Sequence, residues 1–212
     1  MRPVLFLLLL ASLLSGCGAR QTFEPVLGDV LFSDSFTQAG SWDQYDAPTV
    51  QMQIAGGIFT VIADAGQYVF SLNSAAHDDV VIDADLTILS EDRSNGAGIL
   101  CRANASRDGD GYYFLIGSDG SASIRRGQGR EVKPLLSWTL SSAVRSGVGP
   151  NRIRAVCIGD RLALYVNGEL VGEVRDRLYS RGLVGIAAVS TRPGERIEVN
   201  FNALTVTAAT IK

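Results

Sequence analysis

The sequence predicts an all-β protein built as two antiparallel sheets packed into a sandwich. Three observations carry this. Short runs rich in Val, Ile, Tyr and Phe recur along the chain between Gly, Asn and Asp residues. Apolar and polar residues alternate within several of those runs. No stretch holds the 3.6-residue period of a long helix.

The strands expected are Val30–Phe36, Val50–Ile54, Ile58–Ala63, Tyr68–Leu72, Val80–Leu89, Gly98–Ala103, Tyr112–Gly117, Ala122–Arg126, Val132–Ser137, Asn151–Ile158, Leu162–Val166, Leu170–Arg175, Val184–Val189 and Ile197–Val206. Asn167-Gly168 lies between two of them, and both residues tolerate positive φ, which marks a two-residue hairpin. Gly159-Asp160 and Asp119-Gly120 mark turns in the same way, so residues 152–175 read as a three-stranded meander. Ser141–Ser146 suggests one helical turn, stopped by Gly147. Alternation then assigns faces. Val80, Ile82, Ala84, Leu86 and Ile88 point one way, and Val81, Asp83, Asp85 and Thr87 the other. Ile99, Cys101, Tyr112, Phe114 and Ile116 are expected inside, with Arg102, Tyr113 and Leu115 outside. One buried and one wetter face per strand is the pattern of a sandwich, and many strands at short spacing suit a sandwich or jelly roll.

The chain opens with Met1-Arg2-Pro3, an apolar run from Val4 to Leu14, and small residues. This is the three-part pattern of a secretory leader. The run is too short to cross about 30 Å of hydrocarbon as a helix. Leu14-Ser15-Gly16-Cys17 resembles the lipobox of bacterial lipoproteins. The resemblance implies that the Cys17 thiol carries a diacylglycerol, that the leader is cut before it, and that the new amino group is acylated; several acyl chains make a stable anchor. The expected organisation is a leader over 1–16, a lipidated tether over 17–27 and one domain over 28–212. Ala19–Val26 has no periodicity and contains Pro25, as a tether would. The domain is placed outside the cytoplasm, held to the envelope membrane.

The formal net charge is −3, and removing Arg2 with the leader makes the mature chain more negative. Nucleic acid is therefore not an expected partner, because phosphate binding needs a clustered positive excess. The basic cluster Arg125, Arg126, Arg130 and Lys133, interleaved with Gly127 and Gly129, reads as a solvated hairpin. With Cys17 acylated, Cys101 and Cys157 remain, both in apolar strand-like runs. In an oxidising compartment such a pair reads as a disulfide, with two buried free thiols as the alternative.

Several stretches resemble concanavalin A-like jelly-roll domains of the laminin-G and glucanase type. They are Phe32-Ser33-Asp34-Ser35-Phe36 with Trp42, Gly98-Ile99-Leu100-Cys101-Arg102 followed by Tyr112-Tyr113-Phe114 and Ser118-Asp119-Gly120, and Asn151–Arg154 through Leu164–Leu170. The last strand, Val199-Asn200-Phe201-Asn202, also fits. The resemblance spans about residues 28–208 and leans toward the non-catalytic and 3-keto-glycoside-hydrolase-like (DUF1080-type) branch. It speaks for fold more than for activity.

The glucanase branch carries Glu-x-Asp-x-x-Glu or Glu-x-Asp-x-Glu on one strand, and retaining chemistry needs two carboxyl groups about 5 Å apart. Here the strand reads Asp83-Ala84-Asp85-Leu86-Thr87, without Glu, so that motif is absent. Asp108-Gly109-Asp110-Gly111 does not continue as an EF-hand loop and reads as a polar hairpin. His77 is the only histidine, and no G-x-S-x-G nucleophile elbow accompanies it. The resemblance implies that Asp83, Asp85, Arg102 and Tyr113 share a sheet face able to take a glycan. It also implies that Asp34 and Asn202 contribute to a structural calcium site between the first and last strands; no other cofactor is required. Trp42, Tyr45 and Trp138 are further rings. The expected function is a membrane-anchored module that binds a glycan or another envelope component without catalysis. A 3-keto-type glycoside hydrolase and a structural or protein-interaction domain remain as alternatives.

Overall fold

The structure, a computed structural model, describes residues 24–40, 42–64, 66–91, 95–192 and 195–211. The leader, Cys17 and most of the tether lie outside the described residues. In chain order the strands are β1 (Pro25–Asp34), β2 (Tyr45–Ala47), β3 (Val50–Ala55), β4 (Ile58–Asp64), β5 (Tyr68–His77), β6 (Val80–Ile88), β7 (Asn95–Ala103), β8 (Gly111–Gly117), β9 (Ser121–Gln128), β10 (Glu131–Leu140), β11 (Pro150–Ile158), β12 (Arg161–Val166), β13 (Glu169–Arg175), β14 (Gly182–Ser190) and β15 (Arg196–Ile211). No helix occurs among the described residues.

The strands form two antiparallel sheets, one of nine strands in the order β13-β12-β11-β6-β15-β4-β3-β2 with β1 also on β15, and one of six in the order β10-β9-β8-β7-β14-β5. The expected sandwich is therefore what the chain builds. The meander at β11–β12–β13 forms as read. Its Asn167-Gly168 turn takes φ of 51° and 90°, the two positive values a type I′ hairpin needs.

Three local expectations are corrected, and one strand is added. β1 starts at Pro25, inside the stretch assigned to the tether, because Pro25, Val26 and Leu27 pair with Ile211, Thr210 and Ala209 of a last strand longer than alternation suggested. β1 also stops at Asp34, where the carboxylate accepts the Phe36 N–H at 2.7 Å and turns the chain. Ser141–Ser146 is a single turn closed by the Val144 N–H on the Ser141 carbonyl at 3.1 Å, with no helix. Finally β2 is a three-residue, fully exposed edge strand, too short and too wet to leave a periodicity.

The inner faces meet in one apolar core. Val80, Ile82, Ala84, Leu86 and Ile88 of β6 face Ile99, Cys101, Tyr112, Phe114 and Ile116 of β7 and β8, with Ile153, Leu164, Val199 and Phe201 among the rest. These inward assignments hold. Cys101 and Cys157 form a disulfide that ties β7 of one sheet to β11 of the other.

The outward assignments fail on the six-stranded sheet, and on the nine-stranded one for Val81, which is buried with Val156 and Ala163. Tyr113 and Leu115 are fully buried in a second cluster with Leu72, Leu100 and Val189, packed under Tyr68, Phe70, Val132 and Trp138. The cause is curvature. Tyr68 on the edge strand β5 lies three strand spacings from Tyr113 on β8, about 14 Å across a flat sheet. Their ring centroids are 5.4 Å apart, edge to face. The outer face is thus concave, and rings from its edges fold over the middle. Glycine makes the room: a Cβ on Gly96 would lie 2.7 Å from the Trp138 ring.

Candidate functional site

The four residues expected to share a ligand face do not. Asp83 and Asp85 sit on β6, on the outer face of the nine-stranded sheet. Tyr113 sits on the outer face of the other sheet, facing the opposite way, and Arg102, on β7 of that sheet, reaches to the end of the sandwich and the β11–β12 turn of the nine-stranded sheet. Strands β6 and β7 are consecutive in the chain but lie in different layers, so "outward" means opposite directions for them.

Both acids are matched by arginines across the ladder. Asp83 pairs in register with Arg154 and Asp85 with Arg152. Arg154 grips both Asp83 oxygens, at 2.9 and 3.0 Å, and Arg152 lies 3.5 Å from Asp85. A shallow cavity of about 410 Å³ opens here, lined by Leu27, Asp83, Arg152, Arg154, Tyr165 and Gly168. Its charges largely cancel.

Arg102 has a structural task. It is 1% exposed. Its Nε donates to the Asp78 carbonyl at 3.2 Å, one terminal nitrogen to the Gly159 and Tyr179 carbonyls at 2.8 and 2.9 Å, and the other to the Asp79 carboxylate at 2.9 Å. One guanidinium therefore ties together three chain connections at one end of the sandwich. Asp34 is also occupied. One oxygen takes the Phe36 N–H and the other the Trp42 indole N–H at 2.8 Å, and Asn202 is exposed. Among the described residues, no group of three or more His, Cys, Asp or Glu side chains is placed to hold a metal ion.

The concave face carries a second cavity, of about 540 Å³, lined by Tyr68, Phe70, Tyr113, Asp108, Arg130 and Glu131. That volume suits a small-molecule ligand, for which roughly 300–1,000 Å³ is usual. Tyr113 forms its floor, its hydroxyl donating to the Gly109 carbonyl at 2.7 Å. Burial, first, and then the neighbouring Tyr68, Asp110 and Asp108 push the Tyr113 hydroxyl well above its ordinary pKa. Burial also raises that of Tyr68, which lies beside the Arg125 guanidinium. Tyr68 and Phe70 alternate on β5 and so share a face; each remains part-exposed to the cavity. The β9–β10 hairpin approaches the 104–110 loop so closely that a Cβ on Gly127 would collide with the Gly109 carbonyl oxygen.

The carboxylates of this cavity are both held low. The Ser106 hydroxyl, at 2.5 Å, and the Asp110 N–H lower the Asp108 pKa. Lys133, at 2.6 Å, lowers that of Glu131. In the sequence Asp108 and Arg130 read as parts of solvated hairpins and Tyr68 and Phe70 as ordinary strand residues. The Tyr68-x-Phe70 spacing was the available signal, since two rings on one strand face form a platform wherever that face is open.

The basic cluster is likewise less solvated than expected, because Arg126 reaches Asp176 at 2.5 Å. Asp176 is 10% exposed and accepts the Tyr112 hydroxyl at 2.6 Å and the Leu178 N–H at 3.0 Å. Burial alone would raise its pKa, but the Tyr112 and Leu178 hydrogen bonds and Arg126 together lower it. Burial and the bond to Asp176 in turn push Tyr112 up to about 12. A carboxylate held low contributes stability above its unfolded pKa of about 4, and this is lost as pH falls through the folded value. Asp176→Asn is expected to cost about 2 kcal/mol at pH 7, with the gap from wild type closing below pH 4. Urea midpoints measured from pH 3 to 7 test this; a pH-independent gap would assign the cost to shape rather than charge.

No protein-family model matches this sequence, and neither does any curated protein. Solved structures do match by fold. A carbohydrate-binding module of family CBM66 from Bacillus subtilis superposes with a TM-score of 0.61 at 16% identity, covering 81% of this chain and 94% of that one. A Bacillus subtilis protein of unknown function with a galectin-like fold gives 0.68 at 10% identity, over 89% of this chain and 100% of the other. A GH16 protein of a mixed-linkage glucan locus of Bacteroides ovatus gives 0.57 at 10% identity, over 84% and 100%. The fold is thus the galectin- and concanavalin-like jelly roll. At these identities the likeness extends to fold alone.

Proposed function

We propose that the chain is an envelope-anchored carbohydrate-binding module whose ligand sits in the concave-face cavity, against Tyr68 and Phe70. The observation carrying this reading is the combination of two part-exposed rings with Asp108, Arg130 and Glu131 around one open cavity. Rings take the CH faces of a sugar, and the charged groups take its hydroxyls. Folds of this kind occur in a carbohydrate-binding module and in glycoside hydrolases, which is consistent with a sugar ligand. Binding is favoured over hydrolysis by the state of the two carboxylates. A glycosidase needs one carboxyl kept protonated near neutral pH by an apolar surround, whereas Asp108 accepts the Ser106 hydroxyl and the Asp110 N–H and Glu131 is paired with Lys133, both in open surroundings. The anchor belongs to the same proposal: acylated Cys17 would hold the module at a membrane outside the cytoplasm.

A glycan array probed with the mature protein tests the reading. Retention of at least one glycan class is expected, and Tyr68→Ala should weaken it tenfold or more, about 1.4 kcal/mol. Turnover of a bound sugar, or binding indifferent to Tyr68 and Phe70, would count against it.

A further inference from the structure

β1 leaves a ridge of aliphatic side chains in water. Val26 is 38% exposed, Leu27 48%, Val30 62% and Leu31 46%, and Ile211, beside Pro25 on β15, adds 47%. The ridge lies on one strand pair. Val26 and Leu27 pair in regular register with Thr210 and Ala209, beyond Ala208, the last residue of β15 that β6 reaches, so both faces of the strand pair are open there; the bulges come after Leu27, between it and Val30 and between Val30 and Phe32. Five large aliphatic groups gathered on two paired strands exceed the scattered exposure a soluble surface carries.

We propose that this ridge docks on the surface of the lipid bilayer, an inference that rests on the lipid anchor at Cys17. Tether length carries the argument. Cys17 and Pro25 are eight residues apart, a reach of at most about 29 Å, whereas the domain is about 40 Å across. An anchor on so short a lead keeps β1 on the bilayer side of the domain, and the apolar ridge is the surface it holds there. The charged groups beside the ridge are Glu24, Asp29 and, across the cavity that Leu27 lines, Arg152 and Arg154, which Asp85 and Asp83 already hold. Attraction to anionic headgroups therefore does not drive the contact; burial of the aliphatic side chains at the interface does.

The test uses the full lipidated protein in phosphatidylcholine vesicles at low protein density. An environment-sensitive fluorophore is attached at Val30→Cys or, as a control, at Leu140→Cys, an exposed apolar position on the other sheet. The Val30 label should be blue-shifted and quenched by brominated lipid, without enhancement by anionic lipid, and the Leu140 label should be neither. The serine variant Leu27→Ser/Leu31→Ser carrying the same label should lose most of the quenching. If labelled fatty acid enters the protein but the Val30 label stays aqueous, docking is wrong and the anchor stands. If no fatty acid enters, both readings fall together. Protection at Val30 that rises with protein density and resists brominated lipid would place a second copy on the ridge and overturn the proposal.

Discussion

Arg102→Met is expected to lower the unfolding free energy by about 3 kcal/mol. The guanidinium is 1% exposed but Asp79 is 43% exposed, so the loss is that of charge-assisted hydrogen bonds, about 1.5–3 kcal/mol each and partly replaced by water, rather than of an orphaned buried charge. The substitution keeps most of the buried stem but removes every donor. The carbonyls of Asp78, Gly159 and Tyr179 and the Asp79 carboxylate then lose their shared partner. Burial pulls the Arg102 pKa down and Asp79 restores part of the loss; a guanidinium is a cation at every ordinary pH in any case. Arg102→Lys should recover little, since an ammonium offers donors from one point whereas the guanidinium spans several acceptors in a plane. The backbone adds a second indication: Arg102 sits at φ 52°, a conformation costly for a residue with a Cβ. The fold accepts that cost at the position where the guanidinium is used. Urea unfolding of the two variants beside Arg130→Met, at an exposed hairpin, is the measurement. A midpoint for Arg102→Met no lower than for Arg130→Met would show that the three connections close without the clip.

The disulfide should matter about as much. Cys101 and Cys157 close a loop with a sequence separation of 56, for which the chain-entropy relation assigns about 4 kcal/mol. In a domain of this size that corresponds to roughly 8–16 °C in Tm. Melting curves of the oxidised protein, the reduced protein and Cys101→Ala/Cys157→Ala should show the loss in the last two alone. An unchanged Tm on full reduction would mean the sandwich holds the two strands without the bond. The effects should also be coupled. Arg102 follows Cys101 directly, and its Gly159 partner lies two residues beyond Cys157, so the two devices fasten the same pair of segments. Neighbouring contributions of this kind do not add, and the combined variant should lose less than the sum of the separate losses.

Much of the architecture is legible in the sequence. In β6 the alternation from Val80 to Ile88 identified the core face residue by residue, because a half-buried strand writes its two environments into consecutive positions. The Asn167-Gly168 turn was legible because few residue pairs accept two positive φ values. Cys101 and Cys157 were legible as partners once Cys17 was set aside. In β7 and β8 the same rule failed. Leu100, Tyr113 and Leu115 lie on the face away from the core and are nonetheless buried, because a concave sheet folds its own edges over its middle. Alternation reports which residues leave a strand on the same side; it carries no information on what waits there.

The candidate site was less legible for the same reason. Asp83, Asp85 and Tyr113 each point away from the core on their own strand, while Arg102, at a positive φ, turns to the β11–β12 turn; a one-dimensional pattern shows neither that turn nor that β6 and β7 belong to opposite layers. Tyr68 and Phe70 come from one strand, Tyr113 from another and Asp108, Arg130 and Glu131 from loops and a hairpin end, spread over some sixty positions of the chain. The sequence by itself determined the class of fold, the inner faces of β6, β7 and β8, the tightest turn and the cysteine pairing, all properties set by neighbours along the chain or by elimination. Only the tertiary structure decided which outward faces are wet, which acids are already neutralised and where rings and charges converge, because those depend on sheet order and curvature, which act between residues distant in sequence.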